Sequence, residues 1–323
     1  MKTKTTIIAL LFAVAIIIII PLFFALPGET RIWGEAQNFG HTLLFGIVAI
    51  LILWTSRLLF EKRVKRQITH YLVAFGAAVF LGGLVEILQI FFPGDPDIGD
   101  FIRDILGAGA FLGFYMYFEL SSKQALPGHS AIKRKMVLII SAILLSLSFL
   151  PGLLWAGAYL HRNKVFPLIC SFDSIWERKF IETQDARLKS VSPPAQWNKP
   201  PGDRVGRLEL FAVDHPGFYI LEPGRDWNEY KYLSFEVFSE LKAPLEVQVG
   251  VEDYIGKDVD EDRFSRTILI KPGLNEINID LEDVRNGPLF RKLNLAAIHD
   301  IYMIVFKPGD GIILYIDDIR LGR

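Results

Sequence analysis

The sequence predicts a multi-domain chain, in which an all-α transmembrane helical bundle of five spans is followed by an all-β antiparallel sandwich. Two observations support this prediction. Of the 323 residues, 51% are hydrophobic, and before residue 165 they form long runs of the kind that a membrane-spanning helix requires. After that point apolar and polar residues alternate with a period of two, which is typical of strands with one buried face. We therefore expect one domain at residues 1–164 and a second at residues 165–323.

Five apolar runs in the first domain are long enough to cross a bilayer, for which about 20 mostly apolar residues are needed. Polar segments separate each run from the next. The predicted spans are Thr5 to Leu26, Phe39 to Phe60, His70 to Phe92, Phe101 to Leu120 and Met136 to Leu160.

Basic residues predict the orientation of these spans, because cytoplasmic loops carry an excess of Lys and Arg. Such residues collect before span one, between spans two and three, and between spans four and five: Lys2, Lys4, Lys62 to Arg66, Lys123 and Lys133 to Lys135. The alternate loops hold only Arg31. The sequence therefore predicts a multi-pass protein of the plasma or inner membrane, with a cytoplasmic N-terminus and an extracytoplasmic second domain. Span one could instead be a cleaved signal peptide, which would leave that orientation unchanged.

In the second domain, alternating segments such as Leu233 to Val237, Leu245 to Val251 and Ile277 to Leu281 predict strands, and Pro-Gly turns separate them. The absence of a long helical pattern favours an antiparallel sandwich. A single cysteine, Cys170, excludes an intrachain disulfide. Acidic residues outnumber basic ones in this domain, so we expect no nucleic-acid partner.

The order of motifs in this domain resembles the jelly-roll sandwiches of carbohydrate-binding modules. The matching segments are Ser171 to Asp173, Gly206 to Leu210, Asp226 to Phe235, Lys271 to Leu281 and Leu314 to Leu321. The resemblance covers most of the domain and implies a jelly-roll fold with a glycan as ligand. It also implies a structural calcium near the first and last strands.

That calcium would be held by Asp173 together with Asp317 or Asp318, since carboxylate oxygens suit calcium. The alternative is that these are solvated carboxylates in turns. Trp227 and Tyr230 are the candidates for stacking on a sugar. Their alternative role is to pack against the edge of the strand that they precede.

Ionisable and amide side chains interrupt spans two to four. His41 opens span two, Glu86 and Gln89 lie near the outer end of span three, and Asp100, Arg103 and Asp104 begin span four. A charge at mid-bilayer costs about 2.5 kcal/mol or more, so such groups indicate a site. With the predicted topology, all six lie in the outer half of the bilayer and form one candidate ligand site. The alternative is an ion pair of Arg103 with Glu86 or Asp104 that holds two helices together.

This arrangement resembles the VanZ-like family of membrane proteins over roughly Phe39 to Phe118. The matching elements are His41, Glu86-x-x-Gln89, the Pro93-Gly94 turn and Asp100-x-x-x-Asp104-x-x-Gly107-Ala108. Two positions depart from the family: Asp95 replaces a common Arg, and Asp104 replaces a common Asn. The resemblance implies a cell-envelope protein connected with glycopeptide resistance, and it supplies no reaction.

Three functions remain open from the sequence. In the first, the polar cluster binds a lipid head group or lipid-linked saccharide while the sandwich binds an envelope glycan. In the second, the spans are an anchor and the sandwich recruits an envelope protein. In the third, Glu86 acts in an intramembrane hydrolase or transferase, although the chain contains no His-Glu-x-x-His, Gly-x-Ser-x-Gly or P-loop signature.

Overall fold

The computed structural model describes residues 2–23, 28, 30–60, 63–91, 97–122, 129–255, 260–309 and 311–323. It divides the chain into two compact units, Met1–Trp155 and Ala156–Arg323. The predicted span ends at Leu26 and Phe92, together with the Pro93-Gly94 turn, lie outside the described residues.

The helices of the chain follow the apolar runs of the sequence. They are α1 (Lys2–Phe23), α2 (Arg31–Phe60), α3 (Gln67–Gln89), α4 (Ile98–Ser122) and α5 (His129–Val165). A sixth helix, the short α6 (Leu281–Arg285), lies in the second unit. The described residues therefore form six α-helices, one more than the five predicted spans.

Three helical segments are long and apolar enough to cross a membrane: α2, α3 and residues Ala131–Val165 of α5. In α1 the described apolar stretch is the shorter Lys4–Ile16. Helix α4 carries four charged residues, Asp100, Arg103, Asp104 and Glu119, which lower its mean hydropathy. By length and composition, the described residues thus support three of the five predicted spans.

Helices α2, α3 and α4 share an apolar core of small residues and a few large ones. Its buried members are Ala49, Leu53, Tyr71, Ala74, Ala78, Ala108 and Leu112. At Gly107, a Cβ atom would clash with the backbone carbonyl of Thr42, so only glycine lets the backbones of α2 and α4 approach this closely. This contact brings the helix segments that contain His41 and Asp104 together.

The second unit is a sandwich of two antiparallel sheets, as the alternation predicts. The first sheet contains β1 (Leu168–Cys170), β3 (Ala186–Val191), β4 (Val205–Leu210), β6 (Tyr232–Ser239), β9 (Gly273–Asp280) and β11 (Ile312–Gly322). The second contains β2 (Ile181–Gln184), β5 (Gly217–Leu221), β7 (Leu245–Asp253), β8 (Phe264–Ile270) and β10 (Ile298–Ile304). The strand orders are β3-β4-β11-β6-β9, with β1 also paired to β11, and β2-β5-β10-β7-β8.

The facing surfaces of the two sheets form the core of this unit. In β6, Leu233, Phe235 and Val237 are buried, and in β7 Val247 and Val249 are buried while Glu246 is exposed. Gly273 adopts φ +87° at the start of β9, in the turn predicted from Lys271-Pro-Gly273. The inward and outward faces therefore agree with the sequence pattern.

Candidate functional site

Helices α2, α3 and α4 bring three of the predicted site residues together. His41 in α2, Glu86 in α3 and Asp104 in α4 place their nitrogen and carboxylate oxygen atoms within 4.8 Å of one another. His41 and Asp104 are almost completely buried, and Glu86 is half-buried. We call these three residues the helical cluster.

His41 lies between two carboxylates of α4. Its Nε2 atom is 3.7 Å from Asp100 Oδ2, and its Nδ1 atom is 3.3 Å from Asp104 Oδ1. Asp100 and Asp104 reach the same imidazole because residues four apart lie on one face of a helix. An imidazole nitrogen and a carboxylate oxygen can bind a proton, accept hydrogen bonds from an ammonium group, or coordinate a metal ion.

The predicted partners of Arg103, Glu86 and Asp104, do not pair with it among the described residues, because Arg103 pairs with other groups. Its guanidinium lies 2.7 Å from Asp100 Oδ1 and 3.4 Å from Glu35 Oε2. Glu35 was not foreseen, since it precedes the predicted span that starts at Phe39. Glu86 and Asp104, the predicted partners of Arg103, belong to the helical cluster instead.

Asp97 connects Glu86 to the start of α4. The Asp97 side chain accepts a hydrogen bond of 2.7 Å from the Gly99 backbone N–H, which is the geometry of a helix N-cap. The backbone N–H of the same residue donates to Glu86 Oε2 at 2.9 Å. Glu86 thereby has one satisfied oxygen, and its position is fixed relative to α4.

The remaining oxygens of the cluster lack hydrogen bonds within the described part of the chain. Both carboxylate oxygens of Asp104 and Glu86 Oε1 are buried and have no hydrogen-bond partner there. The same holds for the side-chain oxygen of Gln89, which lies outside the cluster, three residues after Glu86 in α3. A buried polar group without a partner costs about 1–3 kcal/mol. The cluster is therefore suited to a bound group that supplies hydrogen-bond donors or positive charge.

In the sandwich, a lysine replaces the predicted calcium. Lys199 Nζ lies 2.6 Å from Asp317 Oδ2, 2.7 Å from Glu236 Oε2 and 3.1 Å from Asp318 Oδ2. Neighbouring strand residues normally point to opposite faces, but the register of β11 shifts after Asp317 and Asp318 adopts φ +54°. The irregularity lets both carboxylates face the same ammonium group.

Asp173, the third predicted calcium ligand, is not part of this carboxylate cluster. It is exposed, and its Oδ1 atom accepts a hydrogen bond of 3.0 Å from the backbone N–H of Arg204. The predicted ligand set of Asp173, Asp317 and Asp318 is therefore wrong as a set. The acidic group that forms comprises Glu236, Asp317 and Asp318.

Burial and ion pairing act in opposite directions on this group. Burial raises the pKa of Asp317 to about 6, although the Lys199 ammonium favours the ionised carboxylate. Burial alone would lower the pKa of Lys199, but the hydrogen bonds of Asp317, Glu236 and Asp318 outweigh it and raise that pKa. Lys199 therefore stays charged and acts as the internal counter-ion.

The two aromatic residues predicted to contact a sugar are engaged in packing. Trp227 is 0% exposed and belongs to the core of the sandwich, so a sugar cannot stack on its ring and that prediction is wrong. Tyr230 packs its ring edge-on against Phe166, with 5.6 Å between centroids. It is half-buried against the same core.

The outer face of the second sheet offers a different aromatic surface. Strand pairing places five residues in one row across β2, β5, β10, β7 and β8: Glu182, Tyr219, Tyr302, Gly250 and Ser265. Their sequence neighbours Phe218, Val249 and Met303 point into the core instead. We call this row the outer row.

Gly250 explains how the outer row accommodates a second tyrosine. A Cβ atom there would overlap the ring of Tyr302, so the ring lies directly on the backbone of β7. Tyr302 is buried, while Tyr219, with its ring centroid 5.9 Å away, is half-buried. The Tyr219 hydroxyl donates to Gln184 Oε1 at 3.1 Å. Tyr219 is therefore the more accessible of the two rings.

Some of these residues could have been found from the sequence. A glycine within the alternating strand Val247 to Val251 signals close approach of another group, and it marks the outer row. Lys199 lies in the loop between β3 and β4 and carries no comparable signal.

Together these features define a chain with helices able to span a membrane and a two-sheet β-sandwich. The structural neighbours of the sandwich include carbohydrate-binding modules. A family 11 carbohydrate-binding module from Clostridium thermocellum, in complex with a β-1,3-1,4-mixed-linked tetrasaccharide, shows 16% identity and a TM-score of 0.38, with 48% of this chain and 94% of that chain covered.

An exo-β-agarase shows 18% identity and a TM-score of 0.39, with 48% of this chain and 25% of that chain covered. A second agarase shows 12% identity and a TM-score of 0.36, with 48% of this chain and 26% of that chain covered. This chain thus matches about a quarter of the length of each agarase. No family model and no curated protein matches the chain.

Proposed function

We propose that this chain is an integral membrane protein of the cell envelope that binds the polar head group of a lipid or lipid-linked saccharide at the helical cluster. The observation that carries the proposal is Asp104. Its side chain is 0% exposed, and its Oδ1 atom lies 3.3 Å from His41 Nδ1, but neither carboxylate oxygen accepts a hydrogen bond among the described residues. A bound head group would satisfy these buried oxygens.

The partners of Arg103 support a binding role over an ion-pair role. Asp100 and Glu35 engage its guanidinium, so it does not neutralise Asp104 or Glu86. Helices α2 and α4 approach closely at Gly107, and the ion pair that joins them is that of Arg103 with Glu35. The acids of the helical cluster are therefore not explained by holding the helices together.

The proposal includes the topology of five spans with a cytoplasmic N-terminus. The three helical segments that are long and apolar enough to span a membrane and the basic loops of the sequence support it. In this topology the helical cluster lies in the outer half of the bilayer, and the sandwich lies outside the cytoplasm. His41 and Glu86 also match the VanZ-like pattern, which favours a cell-envelope role, whereas Asp104 stands where that pattern commonly has Asn.

We expect Asp104→Asn to weaken head-group binding at least about tenfold, because the saccharide hydroxyl groups would donate to a charged acceptor that the substitution replaces with a neutral amide. Tenfold corresponds to about 1.4 kcal/mol. Native mass spectrometry of the full chain with added polyprenyl-diphosphate disaccharide measures this, with phosphatidylglycerol as a bulk-lipid control. Glu119→Gln is the matched variant, since Glu119 is in the same helix but already accepts from Arg57 and Tyr71. Unchanged binding by a folded Asp104→Asn protein contradicts the proposal.

A glycan site on the outer row of the sandwich is a second candidate function. The observation that favours it is the half-buried Tyr219 ring next to Tyr302, with polar groups of Gln184, Gln248 and Ser265 on the same face. A tyrosine ring presents an apolar face and a polar hydroxyl, which suits the mixed surface of a sugar. The surface lies on the face of the second sheet that points away from the core.

Tyr219→Ala is expected to abolish glycan-array binding by the full chain in nanodiscs, because it removes the accessible ring of the outer row. Tyr230→Ala is the matched control, since Tyr230 packs against Phe166 and the core. Loss of binding in Tyr230→Ala together with full binding in Tyr219→Ala would place the sugar elsewhere.

A further inference from the structure

We infer that the helical cluster holds a divalent transition-metal ion of the zinc type, bound by His41, Glu86 and Asp104, and that the head group binds through this ion. The inference rests on the proposed function for the head group, whereas the ion can be measured by itself.

Carboxylates outnumber basic groups around the helical cluster, which favours binding of a cation. Four carboxylates lie around two basic groups: Glu35 and Asp100 lie within 3.4 Å of Arg103, Asp104 lies 3.3 Å from His41, and Glu86 places an oxygen within 4.8 Å of His41 and Asp104 atoms. The basic groups are one guanidinium, Arg103, and one imidazole, His41. Even a protonated His41 leaves an excess of negative charge among largely buried groups, and buried charge is strongly unfavourable without a counter-charge.

The donor set is that of a metal site. His41 offers an imidazole nitrogen, and Glu86 and Asp104 each offer a carboxylate oxygen. Zinc accepts both donor types, while calcium and magnesium prefer oxygen alone. Glu86 Oε1 and both Asp104 oxygens have no hydrogen-bond partner in the described part of the chain, so metal binding would break no hydrogen bond that they make there.

The three donors are close enough for one ion. Atoms within 4.8 Å of one another always share a point at about 2.8 Å or less from each, and zinc bonds to nitrogen and oxygen are about 2.0–2.2 Å long. Side-chain movements below about 1 Å would complete the contacts. If Glu86 binds the ion through Oε1, its other oxygen, Oε2, keeps the hydrogen bond of 2.9 Å from the Asp97 backbone N–H, and such partners orient the ligands of metal sites.

A three-ligand site leaves a coordination position for an exogenous group. Without an ion, the carboxylates of the cluster would repel a head group that carries phosphate. A bound divalent ion removes this repulsion. With an ion bound, a phosphate or hydroxyl oxygen can complete the coordination shell. The ion would then link an acidic protein site to an anionic head group.

The test is zinc binding by the full chain in detergent, after metal has been removed with EDTA and Zn²⁺ has then been added back in excess. We expect the wild-type chain to retain one equivalent of Zn²⁺ after desalting, measured by inductively coupled plasma mass spectrometry. Asp104→Asn and Glu86→Gln should raise the dissociation constant for Zn²⁺ by about 100-fold or more. Mg²⁺ at the same concentration should not displace the zinc.

Two variants control for the other carboxylates of the chain. Glu119→Gln changes an acid in α4, the helix of Asp104, that already accepts hydrogen bonds. Asp318→Asn changes one of the three carboxylates that contact Lys199 in the sandwich. Both should keep one equivalent of zinc. X-ray absorption at the zinc edge of the wild-type chain should show imidazole and oxygen ligands, which gives a readout that does not depend on any variant folding.

The inference is overturned if the folded wild-type chain retains no zinc, if zinc is retained equally by Asp104→Asn and Glu86→Gln, or if the zinc edge shows no imidazole. Failure of the head-group proposal is separate. Zinc bound without any polyprenyl-diphosphate binding removes the proposed function and keeps the metal site. Head-group binding that persists with EDTA, in protein shown to be zinc-free, removes the metal-linked mechanism and keeps the proposed function.

Discussion

Lys199→Met is expected to destabilise the sandwich by about 3 kcal/mol at pH 7.5, because breaking a buried ion pair leaves an uncompensated charge. The lysine side chain is 11% exposed, and its Nζ atom lies within 3.1 Å of oxygens from Glu236, Asp317 and Asp318. Methionine keeps most of the side-chain volume and removes the ammonium group. Three clustered carboxylates then remain without their cation.

The loss should shrink on acidification. A carboxyl group whose pKa is raised on folding, as that of Asp317 is to about 6, contributes stability that is present below its unfolded pKa and is lost as the pH rises through about 6. In Lys199→Met this pKa should rise further, since the opposing ammonium is gone. We therefore expect a small loss near pH 4.5 and the full loss above pH 7.

Hydrogen exchange of β6 and β11 in the full chain measures this local free energy of opening. Lys307→Met is the matched control, since Lys307 and Asp214 are both mostly exposed and 3.7 Å apart, and such surface pairs contribute about 0–1 kcal/mol. Calcium should protect the Lys199→Met chain and leave the wild-type chain unchanged. Equal losses in the two lysine variants, or the same loss at both pH values, would contradict the counter-ion role of Lys199.

Asp253→Ala is expected to destabilise the sandwich by about 3–5 kcal/mol, because it removes a fully buried carboxylate that pairs with Arg291 and accepts four hydrogen bonds. Asp253 is fully buried and accepts from Arg291 Nη1 and Nη2 at 2.6 Å each. It also accepts from the backbone N–H groups of Asn294 at 2.7 Å and Ile255 at 3.1 Å. The hydrogen bonds of Asp253 are the main cause of the raised pKa of Arg291, so Arg291 keeps its positive charge next to the buried carboxylate.

Asp283→Ala provides the matched comparison. Asp283 Oδ2 also lies 2.6 Å from an arginine, Arg266, but both side chains are well exposed. We expect a loss below about 1 kcal/mol there, and exchange of β7 and β10 measures both variants. Asp253→Asn should fall between the two, since the amide keeps an acceptor oxygen. Similar small losses in Asp253→Ala and Asp283→Ala would show that burial does not decide the effect.

Periodic features of the chain could be predicted from the sequence, while partners distant in sequence could not. Alternation placed Leu233, Phe235 and Val237 on the buried face of β6, because a strand has only two faces. The ionisable residues of the apolar helices were recognised as a group for the same local reason. The ion pair of Arg103 with Glu35 was missed, because α2 begins at Arg31, well before its apolar run.

The errors in the sandwich have a related cause. The sequence shows that Trp227 precedes a strand, but its burial depends on which residues cover it after folding. The sequence likewise indicates that Asp317 and Asp318 bind a cation, but it does not indicate which cation. Their cation is an amino group of the chain itself, brought by a loop whose path no local pattern specifies.

Asp97 couples the start of α4 to the Glu86 side chain. One residue caps the helix through its side chain and holds Glu86 through its backbone N–H. A movement of the Glu86 carboxylate toward a bound group would therefore pull on the point where α4 begins. Binding of a group at the helical cluster would therefore change how firmly the first turn of α4 is held by its N-cap, Asp97.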